Sequence, residues 1–388
     1  MPHCFNSLIE KCFSNINKNQ YTGILFIDFA KAFDVINHPL LLRKLSCYQF
    51  SANANAFISS YLSDRQQCVE TNLQRSEFLP LRHGVPQGSV LGPSLFSLYI
   101  NDLPLYVKNS CEMFADDTSL QSTDTDSHKV VNKLQSATNN LNRWTELNHM
   151  SINCNKTKCM YVMTRQKRKK MLSPFPPLYI GQHRIDEVES HKVLGVIIDN
   201  NLSWSDHLTH LGKRLSQKIY QLTKIKHFLD INSRKIFFSA HILSLIDYAS
   251  TLWDNASDTN FKIIKRVHKR ALKLILLKST SLTISDYKTL NILPLKLRLH
   301  FNKCVYMYNI MNGNAPKKLH QCFTINPNRH QHQLSFPRPR NNIYKSSLMY
   351  SGGMAWNNLT NKLKHSSSKP TFKISLRKDL MENIPMNM

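Results

Sequence analysis

The chain has 388 residues, of which 41% are hydrophobic and 20% charged, so it has room for two or three folded domains and is not intrinsically disordered. Its 51 Lys and Arg outnumber its 25 Asp and Glu, which gives a net charge of +26. This excess predicts a polyanionic partner, because basic side chains gain binding free energy by releasing counterions from phosphates. An acidic membrane surface is the competing explanation.

Targeting and metal-binding patterns are absent from the sequence. It has no segment of about 18 apolar residues that would predict a membrane span, and residues 1–6 lack the pattern of a signal peptide. The nine Cys are scattered, with Cys154 and Cys159 the closest pair, and are expected to be reduced thiols in an intracellular protein. No Cys-x-x-Cys motif occurs, and His330 and His332 lie far from any paired Cys, so zinc is not expected.

Apolar periodicity predicts a mixed first half and a helical second half. In chain order, the first half contains a helix at 1–20, a strand at 23–29, helices beginning at His38 and Ser51, hairpin strands at 67–71 and 77–81, a Gly- and Pro-rich loop at 83–93, a helix at 95–105 and a strand–turn–strand around Asp116 and Asp117. A helix at 126–148, strands at 159–163, 179–180 and 193–198, and basic amphipathic helices at 205–225, 234–253 and 261–277 follow. The basic run 165–170 is assigned to an exposed loop, either solvated or in contact with phosphate.

Three aspartates stand out among these elements. Asp28 ends an apolar strand, where a buried charge needs a partner such as a metal ion. Asp116 and Asp117 by themselves indicate an ordinary hairpin turn, since Asp is a common turn residue. Two acidic strand ends from distant parts of a chain can, however, converge on a pair of Mg²⁺ ions, which take carboxylate oxygens and support phosphoryl transfer.

The motifs around these aspartates resemble a known family. Residues 26–34 (FIDFAKAFD), 84–89 (GVPQGS) and 114–117 (FADD) resemble three successive signature motifs of reverse transcriptases. The FADD form, with 153–157 (NCNKT) and 193–195 (VLG) after it, is similar to non-LTR retrotransposons of the jockey and CR1 kind. The motifs occur in the family's order, and the resemblance is strong over residues 20–205 and loose beyond.

The resemblance implies roles for the residues of the first motif and the FADD motif. Asp28 and Asp116 would bridge two Mg²⁺ ions, with Mn²⁺ as a substitute, and Asp117 would support the metal site. The carbonyl of Phe29 would add a ligand. The ring of Phe33 would leave no room for a ribonucleotide 2′-hydroxyl, although core packing is the alternative for this residue.

The other motifs imply contacts with substrates. Gln87 and Gly88 would lie along the incoming nucleotide and the template. Lys156 would protonate the leaving pyrophosphate, with Lys158 as its rival in the same loop. Leu194 and Gly195 would grip the primer end. No family role is assigned to Asp34, for which a structural hydrogen bond is expected.

The predicted fold is α+β: a right-hand polymerase palm, with an antiparallel sheet backed by helices, followed by a helical thumb. We expect a palm with a remnant of the fingers at 1–204, a basic thumb at 205–280 and a partly helical extension at 281–388. Only 22 residues precede Gly23, so the fingers, which hold the triphosphate in this family, are expected to be mostly missing and no endonuclease domain is expected before them. We therefore expect a truncated chain that binds primer–template but extends it poorly or not at all.

The predicted activity is RNA-directed DNA synthesis from dNTPs on an RNA template with a DNA primer, with no membrane partner. The alternatives are a catalytically weak or inactive nucleic-acid-binding remnant and, within the same polymerase family, a group II intron maturase. The expected location is the nucleus or a cytoplasmic ribonucleoprotein. The sequence does not predict an oligomeric state.

Overall fold

The computed structural model describes residues 2–72, 74–325 and 333–385, and His330 and His332 lie outside them. The chain divides into two compact units, which we name the sheet unit (Gln20–Glu189) and the helical unit (Met1–Asn19 with Ser190–Met388). The palm, thumb and extension predicted at 1–204, 205–280 and 281–388 are functional domains, whereas the two units are defined by contacts. The three functional domains stay predictions.

The elements up to residue 189 alternate between helices and short strands. In chain order they are α1 (Pro2–Asn17), β1 (Tyr21–Ile27), α2 (His38–Cys47), α3 (Ala52–Leu62), β2 (Gln66–Gln67), β3 (Glu70–Thr71), β4 (Gln74–Arg75), β5 (Leu79–Pro80), α4 (Gly92–Ile100), α5 (Leu103–Val107), β6 (Ser110–Phe114), β7 (Asp117–Asp124), α6 (Ser127–Leu147), β8 (Lys158–Val162), α7 (Arg165–Lys169), β9 (Leu178–Ile180) and β10 (His183–Glu187).

The rest of the chain is mainly helical. Its elements are β11 (Ser190–Val193), β12 (Val196–Asp199), α8 (Ser205–Ile225), α9 (Ile231–Phe237), a π-helical segment (Phe238–Leu243), α10 (Ser244–Asp247), α11 (Ser250–Trp253), α12 (Asp258–Leu276), α13 (Ile284–Leu290), α14 (Leu295–Met311), α15 (Lys317–His320), β13 (Thr324–Ile325), β14 (Leu334–Ser335), a 3₁₀ turn (Tyr344–Ser346), a second π-helical segment (Leu348–Gly352), α16 (Gly353–Asn357), α17 (Asn361–Lys364) and α18 (Lys369–Glu382).

The sheet unit is built on a six-stranded sheet in the order β6-β7-β1-β8-β10-β9. Its strands pair antiparallel except for β8 with β10, which are parallel. The apolar run of β1 occupies an interior position between β7 and β8, where a strand buried on both faces is expected. Helix α6 contributes Leu134, Leu141 and Trp144 to the same hydrophobic core as Leu25 and Ile27 of β1. The predicted α+β class is confirmed.

Side-chain caps begin several helices close to their predicted starts. Asn37, Ser51 and Asp126 each accept a hydrogen bond from the backbone N–H three residues further on, which satisfies a donor that the helix itself leaves unpaired. No helix in the described ranges is both long and apolar enough to cross a membrane. The eight cysteines whose side chains are described are free thiols.

Three predicted elements were wrong in detail. The helix at 95–105 is two helices, α4 and α5, separated near Asp102, whose carboxylate accepts hydrogen bonds from Lys44 at 2.8 Å and from the Trp144 indole at 3.1 Å. The helix predicted at 234–253 is interrupted by the π-helical segment, and its last part, α10, ends before Tyr248. Ala249 then adopts a left-handed conformation, with φ of 51°, which separates α10 from α11. The strand at 193–198 is a hairpin of β11 and β12.

The basic run 165–170 also differs from its prediction, because residues 165–169 form the short helix α7 rather than a loop. Thr164 caps this helix by accepting a hydrogen bond from the N–H of Lys167. The ammonium of Lys167 lies 3.5 Å from the centroid of the Tyr21 ring, and the guanidinium of Arg168 donates to the carbonyl of Tyr161. Two of the five charges in this run are therefore held against other groups of the sheet unit rather than left in solvent.

Candidate active site

Asp28 lies at the point where β1 leaves the core. The register pairs Ile27 with Thr118, so the residue after β1 lies beside the start of β7. Six of the seven residues of β1 are buried, whereas Asp28 is half-buried. An apolar interior strand thus carries the carboxylate to the end of the sheet and exposes it there.

Asp116 belongs to the tight turn between β6 and β7. Phe114 pairs with Asp117, so the turn itself contains only Ala115 and Asp116. Ala115 has φ of 51°, the left-handed conformation that two-residue hairpin turns require and that Gly or Asn usually supplies. For an alanine this conformation costs about 1–2 kcal/mol. The turn places both Asp116 and Asp117 in exposed positions at the same end of the sheet as Asp28.

The carboxylate of Asp117 is close enough to those of Asp28 and Asp116 to be repelled by both. The pKa of Asp117 is raised, first by partial burial and then by the negative charges of Asp116 and Asp28. Like charges raise the pKa of a carboxyl group because they disfavour its ionised form. The structure therefore brings together the three acids that the sequence predicted from two distant segments.

These aspartates have the donor chemistry of a divalent-cation site. All three offer carboxylate oxygens, and their mutual repulsion leaves negative charge that a cation would balance. Across residues 2–72, 74–325 and 333–385, no three His, Cys, Asp or Glu side chains converge as a ready-made metal-binding group. A divalent cation held here would therefore need further ligands, such as water or substrate phosphates, besides these side chains.

The loop between α6 and β8 closes against the backbone of Asp28. The N–H of Asn153 donates to the carbonyl of Asp28 at 2.8 Å. The N–H of Asp28 donates to the hydroxyl of Thr157 at 3.3 Å, and Thr157 is fully buried. Lys156 lies between these two anchors, and its position next to the acidic site follows from them.

The two candidate lysines have different surroundings. The ammonium of Lys158 lies 2.6 Å from the carboxylate of Asp186, the residue that faces it across the β8–β10 pair. This ion pair lowers the pKa of Asp186. Lys156 is exposed, and its side chain forms no ion pair with any described residue. The geometry favours Lys156 over Lys158 as the cation that is free to reach a substrate.

Phe29 and Phe33 both contribute rings to the core. Phe29 is buried, with its ring centroid 6.4 Å from that of Trp144. Phe33 is half-buried and stacks on Phe96 at a centroid distance of 4.6 Å. One side of the Phe33 ring is therefore packed in the core, while the rest of the side chain is accessible. The metal-ligand role of the Phe29 carbonyl stays a prediction.

The Gly- and Pro-rich loop is fastened to the segment after β1. The N–H groups of Gly84 and Val85 donate to the carbonyls of Ile36 and Phe33, at 2.8 and 2.9 Å. Gly84 has φ of 83°, and a Cβ there would lie 2.7 Å from the carbonyl oxygen of Asp34. Only glycine permits this close approach of two backbone segments.

The side chain of Gln87 completes this attachment by donating to the carboxylate of Asp34 at 2.8 Å. The structural hydrogen bond expected for Asp34 is therefore present, although nothing in the sequence indicated Gln87 as its partner. Gly88 is exposed, and no atom lies within 4 Å of where its Cβ would be. The loop thus presents open backbone next to a fixed side chain.

Leu194 and Gly195 form the two-residue turn of the β11–β12 hairpin, which belongs to the helical unit. Both have positive φ, at 48° and 80°. The hydroxyl of Tyr248 donates to the carbonyl of Leu194 at 2.6 Å. The sequence did not indicate Tyr248 as a partner of this turn, because Tyr248 is far from the hairpin in the chain and belongs to no recognised motif.

The chain is similar to a protein family, to curated proteins and to a solved structure. The model of the family "Reverse transcriptase (RNA-dependent DNA polymerase)" matches residues 5–198, which is half of the chain. The chain is 26% identical over 285 residues to the probable RNA-directed DNA polymerase from transposon X-element of Drosophila melanogaster, covering 70% of this chain and 31% of that protein. It is 22% identical over 285 residues to the RNA-directed DNA polymerase from mobile element jockey of the same species, covering 71% and 30%.

A solved structure of telomerase from Candida albicans, in complex with a TWJ fragment of telomeric RNA, is also similar, with a TM-score of 0.37 and 13% identity, covering 76% of this chain and 47% of that one. The chain spans about a third of the length of the curated relatives named above. The predicted resemblance to jockey-type elements is confirmed by those relatives. Because the family model covers half of the chain and contains all three aspartates, this chain belongs to the reverse transcriptase (RNA-dependent DNA polymerase) family.

Proposed function

We propose that this chain is the catalytic part of an RNA-directed DNA polymerase of a non-LTR retrotransposon. It would transfer dNMP units from dNTPs to the 3′-hydroxyl of a DNA primer on an RNA template. The observation that carries this proposal is the convergence of Asp28, Asp116 and Asp117, from two distant segments, at one end of the sheet. Clustered carboxylates suit a reaction at phosphate groups when they hold divalent cations, which supply the positive charge that the phosphates need.

Asp28 and Asp116 would hold two Mg²⁺ ions, for which Mn²⁺ could substitute, with Asp117 in support and the carbonyl of Phe29 as a further ligand. Bound divalent cations supply charge that stabilises the attacking and leaving oxygens of phosphoryl transfer. Lys156 would place its ammonium beside the departing pyrophosphate and donate a proton there. Its exposure and lack of an ion pair support this role over Lys158.

The nucleotide would lie between the accessible part of Phe33 and the loop of Gln87 and Gly88. The ring of Phe33 stacks on Phe96, which would hold it in place. In that position it would leave no room for the 2′-hydroxyl of a ribonucleotide. Gln87, fixed by Asp34, would contact the base pair, and the open backbone of Gly88 would permit close approach.

Leu194 and Gly195 would contact the primer end. The basic helices within 205–280 would follow the duplex backbone as a thumb without reading sequence, and the nucleus would be the site of action. This proposal predicts that affinity for an RNA–DNA duplex falls steeply with salt.

Primer extension on an RNA template tests the activity. Asp116→Ala should reduce extension by about three orders of magnitude, because several kcal/mol of charge stabilisation are lost, while duplex binding is retained. Asp186→Ala is the matched control, since it removes an exposed carboxylate of the same unit that is paired with Lys158. Extension that survives Asp116→Ala would contradict the proposal. Extension that is absent from the unmodified chain with both Mg²⁺ and Mn²⁺ would identify the chain as the inactive, nucleic-acid-binding alternative. Efficient extension by the unmodified chain would refute the expectation of weak activity.

A further inference from the structure

The break between α10 and α11 consists of Tyr248 and Ala249 and lies within the helical unit. Tyr248 has an extended backbone, with φ of −61° and ψ of 120°, and Ala249 has φ of 51°. A left-handed conformation is unfavourable for a residue that has a Cβ. Such strain persists where the surrounding structure imposes it, and it is concentrated at functional sites. The break therefore indicates a role for this segment beyond joining two helices.

Helix α14 holds the break from both sides. The carboxylate of Asp247, the residue before the break, accepts hydrogen bonds from Nε of Arg298 at 2.9 Å and from the amide of Asn302 at 2.8 Å. The same amide of Asn302 donates to the hydroxyl of Ser250, the residue after the break, at 3.2 Å. Because one side chain bonds to residues on both sides, the direction of the chain at Tyr248 is fixed by tertiary contacts.

The side chain of Tyr248 contacts both residues of the β11–β12 turn. Its hydroxyl donates to the carbonyl of Leu194 at 2.6 Å. A Cβ on Gly195 would lie 3.6 Å from Cε1 of the tyrosine ring, so the ring packs against this glycine. Gly195 is nevertheless exposed. The turn is thus held by Tyr248 while part of its backbone stays open to a ligand.

A second contact fastens the same hairpin along β12. The N–H of Ile197 donates to Nδ1 of His207 at 3.4 Å. Burial lowers the pKa of His207 to about 4, so the imidazole is neutral at physiological pH and Nδ1 can accept this bond. The ring of His207 lies 6.0 Å from that of Trp253, whose indole N–H donates to the carbonyl of Tyr248 at 3.4 Å. The two attachments of the hairpin are therefore linked to each other.

We propose that Tyr248 is a positioning residue for the primer end, because it fixes the Leu194–Gly195 turn relative to the basic helices. This inference rests on the proposed function, in which the turn contacts the primer end and the helices follow the duplex. Both belong to the helical unit, so their separation is set within that unit. A primer end held at a fixed distance from the duplex-binding helices keeps its 3′-hydroxyl in a defined place, and small displacements of a reacting group slow a reaction strongly.

Fluorescence of primer–template duplexes tests this inference without catalysis. The primer carries 2-aminopurine as its last base, and the change in its fluorescence when the full chain is added without dNTP is the primer-end signal. Fluorescence anisotropy of a dye at the opposite end of the duplex gives the Kd. A second duplex, with 2-aminopurine well inside the paired region, reports changes that do not belong to the primer end.

Tyr248→Phe removes the hydroxyl and keeps the ring. It should reduce the primer-end signal about twofold or more, since loss of one hydrogen bond shifts the equilibrium between held and released turns by about 2–10-fold. The Kd should change by less than about twofold, because no charge that contacts phosphate is altered. The signal from the internal 2-aminopurine should be the same in both proteins.

Tyr308→Phe is the matched control. The Tyr308 hydroxyl donates to the carbonyl of Ser366 at 2.9 Å, so this substitution removes the same kind of bond between α14 and the segment after α17. It should leave the primer-end signal unchanged. Asn302→Ala loosens the break and keeps the tyrosine hydroxyl, and it should reduce the primer-end signal as Tyr248→Phe does. Thermal unfolding midpoints establish that each variant is folded.

A primer-end signal in Tyr248→Phe equal to that of the unmodified chain would overturn the inference. An equal reduction in Tyr308→Phe would also overturn it, because the effect would then follow from general destabilisation. If the unmodified chain binds the duplex but gives no primer-end signal, the proposed contact of Leu194 and Gly195 fails, and this inference fails with it. Primer extension by Asp116→Ala tests catalysis separately, so failure of the polymerase proposal is distinguishable from failure of the role of Tyr248.

Discussion

Asp28, Asp116 and Asp117 are held together by strand pairing even though their charges repel. The folded chain gains nothing from this repulsion, so the arrangement makes physical sense as a site for a cation. Natural proteins tolerate such locally unfavourable groups mainly where function needs them. Two predictions follow at the scale of single residues.

The first prediction concerns Asp116→Asn. In EDTA this variant should unfold about 1–3 °C above the unmodified chain, because one of the repelling charges is removed. Added Mg²⁺ should raise the midpoint of the unmodified chain and have less effect on the variant, since a ligand stabilises the state that binds it. Differential scanning fluorimetry measures both effects. Asp186→Asn is the control and should keep the Mg²⁺ response. A lower midpoint for Asp116→Asn in EDTA would contradict this account.

The second prediction separates the two lysines. Lys156→Ala should slow primer extension by about 100-fold or more, as expected when a general acid is removed. Lys158→Ala should change it only a few-fold, because this ammonium is already held by Asp186. Single-turnover extension at saturating dNTP gives the comparison. The reverse order of the two effects would identify Lys158 as the proton donor.

Two-residue turns position residues of both units. In the sheet unit the β6–β7 turn contains Ala115 at a φ of 51°, and in the helical unit the β11–β12 turn contains Gly195 at a φ of 80°. The same backbone conformation is strained for alanine and relaxed for glycine. The chain thus stores strain at Ala115, in the turn that carries Asp116, and at Leu194, whereas Gly195 adopts its positive φ without strain.

This contrast gives a reciprocal prediction at the scale of the element. Gly195→Ala should lower the free energy of unfolding by about 1–2 kcal/mol, because the left-handed conformation is costly for a residue with a Cβ. Ala115→Gly should raise it by up to about 1 kcal/mol, as relief of strain exceeds the added entropy of the unfolded chain. Chemical denaturation measures both changes. If both substitutions shift stability in the same direction, backbone strain is not the cause.

At the scale of the whole molecule, the start of the chain is fixed to its last hundred residues within the helical unit. The carboxylate of Glu10 on α1 accepts hydrogen bonds from the N–H groups of Leu348 and Met349, at 2.6 and 3.0 Å. Asn17 accepts another from the N–H of Arg340 at 2.7 Å. Burial raises the pKa of Glu10 to about 7, against the opposing effects of these backbone bonds and of Lys303.

The raised pKa predicts how stability depends on pH. Because the folded state binds the Glu10 proton more tightly than the unfolded state, this contribution is fully present below about pH 4.5 and is lost as pH rises through about 7. Between pH 5 and 8 the unmodified chain should lose up to about 3 kcal/mol relative to Glu10→Gln, which does not titrate. Denaturant titrations at pH 5, 6.5 and 8 provide the measurement. Glu382→Gln, at an exposed position, should show no such trend, and a difference independent of pH for Glu10→Gln would refute the assignment.

The sequence by itself determined the elements whose signal is local. The apolar run ending at Asp28, the caps at Ser51 and Asp126 and the amphipathic α6 and α8 depend on neighbouring residues, and periodicity was sufficient to predict them. The family was likewise determined by short motifs in order, because these contain the residues whose chemistry the family shares.

Only the tertiary structure decided which distant groups meet. Strand register brought Asp28 to Asp117, the hydrogen bond from Gln87 gave Asp34 its partner, and the ion pair with Asp186 separated Lys158 from Lys156. The breaks near Asp102 and Tyr248 were missed because contacts from elsewhere in the chain override local helix propensity.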